Sequence, residues 1–362
     1  MPAARSVIHN KSSAWNANKV FFVVLILYSS LALSVAMHWK IPISFELYSQ
    51  PFIIFGLGVS VIFFAVISAR VMLRRPEHLL PALGSQIQAD GLPKRVIVGL
   101  PVVLVLPVFF SLFTSLKDGI SRIVPFYADT ALASIDRMIH GGSDAWRFLH
   151  PIIGFGPVIF VLNFLYNLWF VVMFIMIFCV VFSIDNEKLR SQYLVAFVLT
   201  WALLGNLAAT IFASVGPAFV GSFYNNDTMF TPLMNYLQTV NGTYPIWALK
   251  TQEILLASSS LDGPRMGSGI SAFPSVHVAV ATLNAIYLWN FGRFLRWASI
   301  AFLVAIQLGS VHLGWHYAVD GYASMLATPV IWTIAGWLSR NLATSGCADA
   351  ENCEPSDLLS KS

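Results

Sequence analysis

Long apolar stretches alternate with short polar connections along most of the chain. Each stretch has about 20 mainly apolar residues, which is the length a helix needs to cross the hydrocarbon core of a bilayer. None has the polar face of a helix on a soluble protein. We therefore predict an all-α, polytopic membrane protein. The eight predicted spans are residues 19–37, 51–69, 96–116, 158–183, 192–213, 272–291, 297–314 and 319–338.

The composition agrees with this pattern. Hydrophobic residues make up 57% of the chain and charged residues only 10%, against about 45–50% and about 25% in soluble domains. These values exclude an ordinary soluble enzyme, and the high hydrophobicity excludes a disordered protein. The net charge is +4, and the basic residues are scattered over the connections. We therefore expect no nucleic-acid partner.

Lys and Arg residues are distributed unevenly between the two sides that eight spans create. With the N-terminus in the cytoplasm, fourteen lie in cytoplasmic segments and seven on the other side. Cytoplasmic segments of membrane proteins usually have this excess, so we expect both termini in the cytoplasm. The seven residues expected on the non-cytoplasmic side are Lys40, Lys117, Arg122, Arg137, Arg147, Lys250 and Arg265.

Two long segments on the non-cytoplasmic side, 117–157 and 214–271, contain turn-forming residues such as Asn225-Asn226-Asp227. Thr130 to Ile139 and Pro245 to Ser258 have helical periodicity within them, and such helices would lie at the lipid headgroups or roof a cavity. We expect four parts along the chain. They are a cytoplasmic tail at 1–18, N-terminal helices at 19–124, a core at 125–340 and a cytoplasmic tail at 341–362.

Several residues are expected to have structural roles only. Cys179 lies in an apolar run and is expected to be buried. No disulfide or metal-ligand pattern connects it to the other two cysteines, which are Cys347 and Cys353. Isolated histidines are expected to be hydrogen-bonded structural residues, and these are His38, His140 and His150. Four aromatic residues are expected to pack in the core or at the interface, namely Tyr166, Trp169, Phe170 and Trp315.

Ionisable residues concentrate at one end of the last three spans. His277 opens the sixth span in Phe273-Pro274-Ser275-Val276-His277, and His312, His316 and Asp320 lie where the seventh span meets the eighth. Because such groups are costly near lipid, each is a functional hypothesis. The predicted topology places both groups at the non-cytoplasmic surface.

The spacing of these residues favours phosphoryl transfer. Four positions separate His316 from Asp320, so on a helix the carboxylate can hold one imidazole nitrogen and leave the other as a nucleophile. Pro274 suits the first turn of a helix, and the free amides of a helix start favour phosphate. His277 at that start can protonate a departing oxygen. Ser275 is a phosphate ligand, a helix cap, or both.

Two other interpretations of the same residues remain. His312, His316 and Asp320 share one helical face, and with His277 they have the types and spacing of metal ligands. A purely structural role for His277, His316 and Asp320 is the second. Neither interpretation explains the Pro-Ser-Val-His context, so we expect no metal and no other cofactor.

The two histidine motifs resemble those of the type-2 phosphatidic acid phosphatase superfamily. Pro274-Ser275-Val276-His277 is similar to its Pro-Ser-x-His motif, and His316-x-x-x-Asp320 to the end of its third motif. Residues 213–217 (Ala-Ser-Val-Gly-Pro) and Asp129 to Gly142 resemble one branch, which includes fungal inositol phosphorylceramide synthase and related bacterial membrane proteins. The resemblance covers roughly residues 125–340 and implies a six-helix-type phosphatase core preceded by extra N-terminal helices.

The resemblance also implies site residues. His316 would be the nucleophile, Asp320 its orienting carboxylate and His277 the general acid. The first motif of the superfamily, Lys-x6-Arg-Pro, is absent, and the third begins Gly309-Ser310 where Ser-Arg is usual. Another cation must therefore bind the phosphate, or the bound group is a less charged phosphodiester. The expected substrate-binding residues are Ser275, Gly216, Arg265 and Lys250.

These observations predict a membrane phosphatase or phosphotransferase that acts on a lipid-linked phosphate at the non-cytoplasmic face through a phosphohistidine. Its partners would be membrane lipid and, for a transferase, an alcohol acceptor. A lipid or solute transporter that relays protons through its histidines is the alternative. That class predicts ionisable residues near the bilayer midplane, whereas these histidines are expected at one surface.

Overall fold

The structure is a computed structural model that describes residues 2–224, 228–259, 261 and 263–344. Every regular element in these ranges is helical. Asn225-Asn226-Asp227, Cys347 and Cys353 lie outside the described residues. The helices are α1 Pro2–His38, α2 Ser49–Leu73, α3 Leu79–Ala89, α4 Leu92–Asp118, α5 Ile120–Ile123, α6 Asp129–Ile139, α7 Ala145–Ile153, α8 Gly156–Val181, α9 Glu187–Thr200, a π-helix Trp201–Ala208, α10 Ala209–Ile211, α11 Val220–Phe223, α12 Thr231–Asn241, α13 Trp247–Ser259, α14 Val276–Leu288, α15 Arg293–His312 and α16 Ala318–Thr344.

Six described helical segments are long and apolar enough to cross a membrane. They are Ala17–His38 within α1, α2, α4, α8, Glu187–Ile211 and α15, which correspond to the first five predicted spans and the seventh. The other two predicted spans are also helices, although α14 has only 13 residues and α16 contains Pro329. The prediction of an all-helical, multi-pass membrane protein is therefore confirmed.

Helix α14 lies at the centre of the C-terminal half. It packs against α9, α15 and α16, and also contacts α8. Its residues Val278, Ala279 and Val280 are fully buried. The N-terminal helix α1 packs against α4 and α9, where the Tyr28 hydroxyl donates a hydrogen bond of 2.7 Å to Asn206. The extra N-terminal helices thus form one body with the core.

The π-helix Trp201–Ala208 interrupts the fifth span close to the start of α14. A Cβ on Gly205 would contact the Phe113 ring and lie 3.1 Å from Val276 Cγ2. Glycine therefore permits the close approach of α4, the π-helix and α14. Irregular turns of this kind occur frequently at functional sites.

The two long segments between the predicted spans, 117–157 and 214–271, contain the short helices that their periodicity predicts. Thr130 to Ile139 lies in α6, and most of Pro245 to Ser258 lies in α13. Helix α7 exposes Phe148 and Ile152, an arrangement typical of helices at a membrane surface. Cys179, by contrast, is exposed rather than buried. The outer face of a spanning helix contacts lipid, so an apolar sequence around the thiol did not require burial.

Candidate active site

Ser275 forms the start of α14. Its hydroxyl accepts a hydrogen bond from the Val278 amide at 3.5 Å, and its side chain is fully buried. This is the geometry of an N-cap. Because Ser275 caps the helix, Pro274 lies before the helix and not in its first turn, where we had predicted it. The peptide bond between Phe273 and Pro274 is cis.

His316 and Asp320 contact each other at the start of α16. His316 Nδ1 lies 3.2 Å from Asp320 Oδ2, and the Tyr317 amide donates to the same oxygen at 3.1 Å. His316 lies in the turn that precedes α16, not in the helix itself, and Asp320 lies in the first helical turn. Asp320 is fully buried and His316 is 7% exposed. The contact expected from their four-residue spacing is therefore present.

His277 reaches the same place from α14. Its ring centroid lies 6.3 Å from that of His316, with an angle of 60° between the planes. One imidazole comes from the first turn of α14 and the other from the segment that precedes α16, and both can contact one small ligand. The site thus contains two histidines, one of which is paired with a buried carboxylate.

Aromatic side chains surround His277. Tyr166 stacks on the His277 ring at 4.7 Å, Trp169 lies at 4.2 Å, and Phe170 meets its edge at 5.8 Å. The Trp169 indole also donates to the His277 carbonyl at 2.9 Å. The sequence predicts only that these residues pack in the core or at the membrane interface. Their spacing places them on one face of α8, but nothing in the sequence indicated that this face meets His277.

Three polar atoms of side chains around the histidines are buried and make no hydrogen bond within the described part of the chain. They are the Tyr166 hydroxyl, the Trp315 indole nitrogen and Asp320 Oδ1. The Tyr166 and Trp315 rings stack at 6.2 Å. Buried polar atoms usually have partners, so these atoms are available to a bound substrate.

Hydrogen bonds join the starts of α14 and α16 directly. The Ser275 amide donates to the Asp320 carbonyl at 3.2 Å. The Ser324 hydroxyl lies 2.9 Å from both the Ser275 carbonyl and the Asp320 carbonyl. These contacts fix the position of His277 relative to His316, since each histidine lies within four residues of a bonded backbone group.

Asp129, the first residue of α6, holds the turn that carries His316. It accepts hydrogen bonds from the Val215 and Gly216 amides, both at 2.8 Å. It also accepts from the hydroxyls of Tyr224 at 2.8 Å and Tyr317 at 2.9 Å. Burial and the Asp129 carboxylate raise the pKa values of both tyrosines, so both hydroxyls stay protonated and donate.

Asp136, two turns further along α6, also bonds the start of α16, close to Asp320. Its carboxylate accepts from the Val319 amide at 3.0 Å and from the Ala145 amide at 3.4 Å. Burial raises the pKa of Asp136. Tyr317 and Val319 flank the first turn of α16, so the two aspartates fix the backbone around Asp320. The sequence predicts a helix over most of this segment and a resemblance from Asp129 to Gly142, but it gives neither aspartate a role.

Gly216 lies beside the site, in a loop that packs closely against Trp315. Its φ is +87°, a Cβ there would lie 2.7 Å from the Trp315 carbonyl oxygen, and its amide is bonded to Asp129. Only glycine combines this conformation with so close an approach. Gly216 therefore shapes the loop next to the turn that carries His316.

Three further histidines, His140, His150 and His312, contact groups other than His277 and His316. His312 is fully buried, and its Nε2 lies 3.2 Å from His150 Nδ1. His140 contacts the Asp136 carbonyl at 2.7 Å and the Tyr322 hydroxyl at 3.1 Å, as expected of a hydrogen-bonded structural residue. Among the described residues, no three His, Cys, Asp or Glu side chains are grouped so that they could hold a metal ion.

The two cations that the sequence suggests as substrate-binding residues, Lys250 and Arg265, lie in the long segment 214–271. Lys250 on α13 forms an exposed ion pair of 3.1 Å with Glu253. Arg265 is exposed in the loop before α14, and its amide is bonded to the Ser268 hydroxyl at 2.9 Å. Neither contact involves His277 or His316.

Comparison with known proteins identifies the family. Residues 130–334 match the PAP2 superfamily, and this region contains both histidine motifs. The chain therefore belongs to the PAP2 superfamily, and this membership supports a phosphatase or phosphotransferase activity. No curated protein and no solved structure has significant similarity to the chain.

Proposed function

We propose that the protein transfers the phosphoryl group of a lipid phosphate through a covalent intermediate on His316. The observation that carries this proposal is the contact between His316 and the buried Asp320 at 3.2 Å, with the His277 ring 6.3 Å from that of His316. Superfamily membership supports the class of reaction. The lipid-exposed helices around the site support a lipid-linked substrate.

Asp320 prepares His316 for attack. Its carboxylate accepts the Nδ1 proton, which leaves the Nε2 lone pair free to attack phosphorus. As the bond from Nε2 to phosphorus forms, the bond to the leaving oxygen breaks and the imidazole gains positive charge. The buried carboxylate stabilises that charge, as in other pairs of histidine and aspartate.

His277 completes the transfer. It donates a proton to the leaving oxygen and then removes one from the incoming acceptor. The free amides at the start of α14 stabilise the phosphoryl oxygens. Water as acceptor releases phosphate, whereas an alcohol gives the phosphotransferase reaction of the inositol phosphorylceramide synthase branch. The scheme uses no metal ion.

We also propose that the site faces the non-cytoplasmic side and that both termini are cytoplasmic. The excess of Lys and Arg in the opposite segments supports this orientation. In that arrangement Arg265 and Lys250 lie on the same side as the site, where they contact lipid headgroups.

The test is turnover of a lipid phosphate panel by purified protein in EDTA, with and without alcohol acceptors, followed by mass spectrometry. We expect headgroup or phosphate release by wild type and its loss in His316→Ala. A substrate labelled with 32P should label the protein only in wild type, after quenching in alkaline detergent, because phosphohistidine is stable in alkali and hydrolyses in acid. Equal turnover by His316→Ala would refute the mechanism. Uptake into proteoliposomes without headgroup cleavage would instead support the transporter.

A further inference from the structure

The superfamily motifs that normally supply cations are incomplete in this chain. The Lys-x6-Arg-Pro motif is absent and Gly309-Ser310 replaces Ser-Arg. Arg137 and Arg147 both neighbour Asp144, at 3.8 and 3.2 Å. A phosphate bound between His277 and His316 therefore needs positive charge from elsewhere in the molecule.

Lys117 lies in the last turn of α4, beside the loop that leads into α14. Phe113 lies one turn earlier on the same face of α4. Gly205 lies against both the Phe113 ring and Val276, the first residue of α14. Residues four positions apart lie on one helical face, so Lys117 lies one helical turn beyond this contact.

The loop before α14 covers Lys117 from the other side. A Cβ on Gly269 would lie 3.0 Å from Lys117 Cγ and 2.8 Å from the Lys117 carbonyl carbon. Gly269 has a φ of +91°, which leaves room for the lysine. Lys117 is thus enclosed between this loop and α14, with its side chain partly exposed.

The Lys117 ammonium has no carboxylate within ion-pair distance among the described residues, in contrast to Lys94 and Lys250. An enclosed ammonium is costly unless it is compensated by a negative charge. A phosphate at the start of α14 would supply that charge. Lys117 also lies outside residues 130–334, which match the superfamily.

We propose that Lys117 binds the phosphate of the substrate and replaces the cations that the superfamily motifs lack. This assignment rests on the proposed function, because it places the phosphate between the two histidines. A residue of the N-terminal helices would thus take part in substrate binding by the core. Its ammonium contacts an equatorial oxygen of the phosphoryl group, so a monoester dianion is favoured over a diester monoanion.

Binding of inorganic phosphate, measured by titration calorimetry on the purified protein in detergent, tests the assignment without requiring turnover. Hydrogen bonds between ions contribute enough for us to expect at least about tenfold weaker binding in Lys117→Met. We expect recovery to within about threefold of wild type in Lys117→Arg. Lys94→Met, at the opposite end of the same helix, is the matched control and should bind as wild type does.

His316→Ala separates this assignment from the proposed mechanism. We expect this variant to lose turnover but retain phosphate binding that still depends on Lys117. If wild type does not bind phosphate, or if Lys117→Met binds as tightly as wild type, the assignment of Lys117 is wrong. If phosphate binding depends on Lys117 but His316→Ala turns over normally, the mechanism is wrong and the binding site stands.

Discussion

His316 and His277 lie on opposite sides of the candidate site and have different surroundings. His316 is held by a buried carboxylate, and hydrogen bonds to Asp129 and Asp136 fix the turn around it. His277 is held by the faces and edges of Tyr166, Trp169 and Phe170. A nucleophile needs one fixed tautomer, which a carboxylate provides. The general acid proposed for His277 must lose and regain a proton, and aromatic faces can contact both the neutral and the charged ring.

The largest effect should come from removing the carboxylate that pairs with His316. Asp320→Asn should lower kcat by about 10³–10⁴-fold, as in triads of serine, histidine and aspartate, because the amide favours the wrong imidazole tautomer. The measurement is steady-state turnover of the best lipid phosphate. Asp185→Asn is the control, since Asp185 is exposed and pairs only with Arg95 at 3.4 Å. Turnover of Asp320→Asn within a few fold of wild type would contradict the role of Asp320.

The next largest effect should follow from loosening the turn around His316. The Asp129 carboxylate accepts four hydrogen bonds, two at each oxygen. Asp129→Asn replaces one oxygen with an NH2 group, so the two donors on that side lose their acceptor. We expect a loss of about 2–4 kcal/mol in the free energy of unfolding, with reduced turnover. Thermal unfolding in detergent measures it, with Asp185→Asn again as the control. Equal melting temperatures for the two variants would show that Asp129 does not hold this turn.

A smaller effect should come from changing the aromatic residues around His277. Two variants of Trp169 distinguish the contact of its ring from its hydrogen bond. Trp169→Phe keeps a ring against His277 but removes the hydrogen bond to its carbonyl, which should cost about 1 kcal/mol of stability and less than tenfold in kcat. Trp169→Leu removes the ring face and should lower kcat by about 10–30-fold. Trp297→Leu, on an exposed side chain of α15, should match wild type. Equal turnover by the two Trp169 variants would mean that the ring face does not support His277.

The sequence predicted the features that depend on residues close together along the chain. Helix positions followed from apolar length, and the contact between His316 and Asp320 followed from their spacing. The support around them depends on long-range contacts. Asp129 bonds Tyr317, 188 positions away, and Gly205 brings Phe113 of α4 close to Val276 of α14. No local pattern indicates such pairs. The length of α14 and the exposure of Cys179 differed from expectation because neither capping by Ser275 nor contact with lipid is visible in hydropathy.

The hydroxyl of Ser324, bonded to the carbonyls of Ser275 and Asp320, has a consequence for how substrate enters. A tilt of α14 or α16 carries both imidazoles together, so the gap between them stays constant while the pair moves as one unit. Any opening that admits the proposed substrate must then leave these two helix starts joined, so a change in access need not alter the spacing of the two histidines.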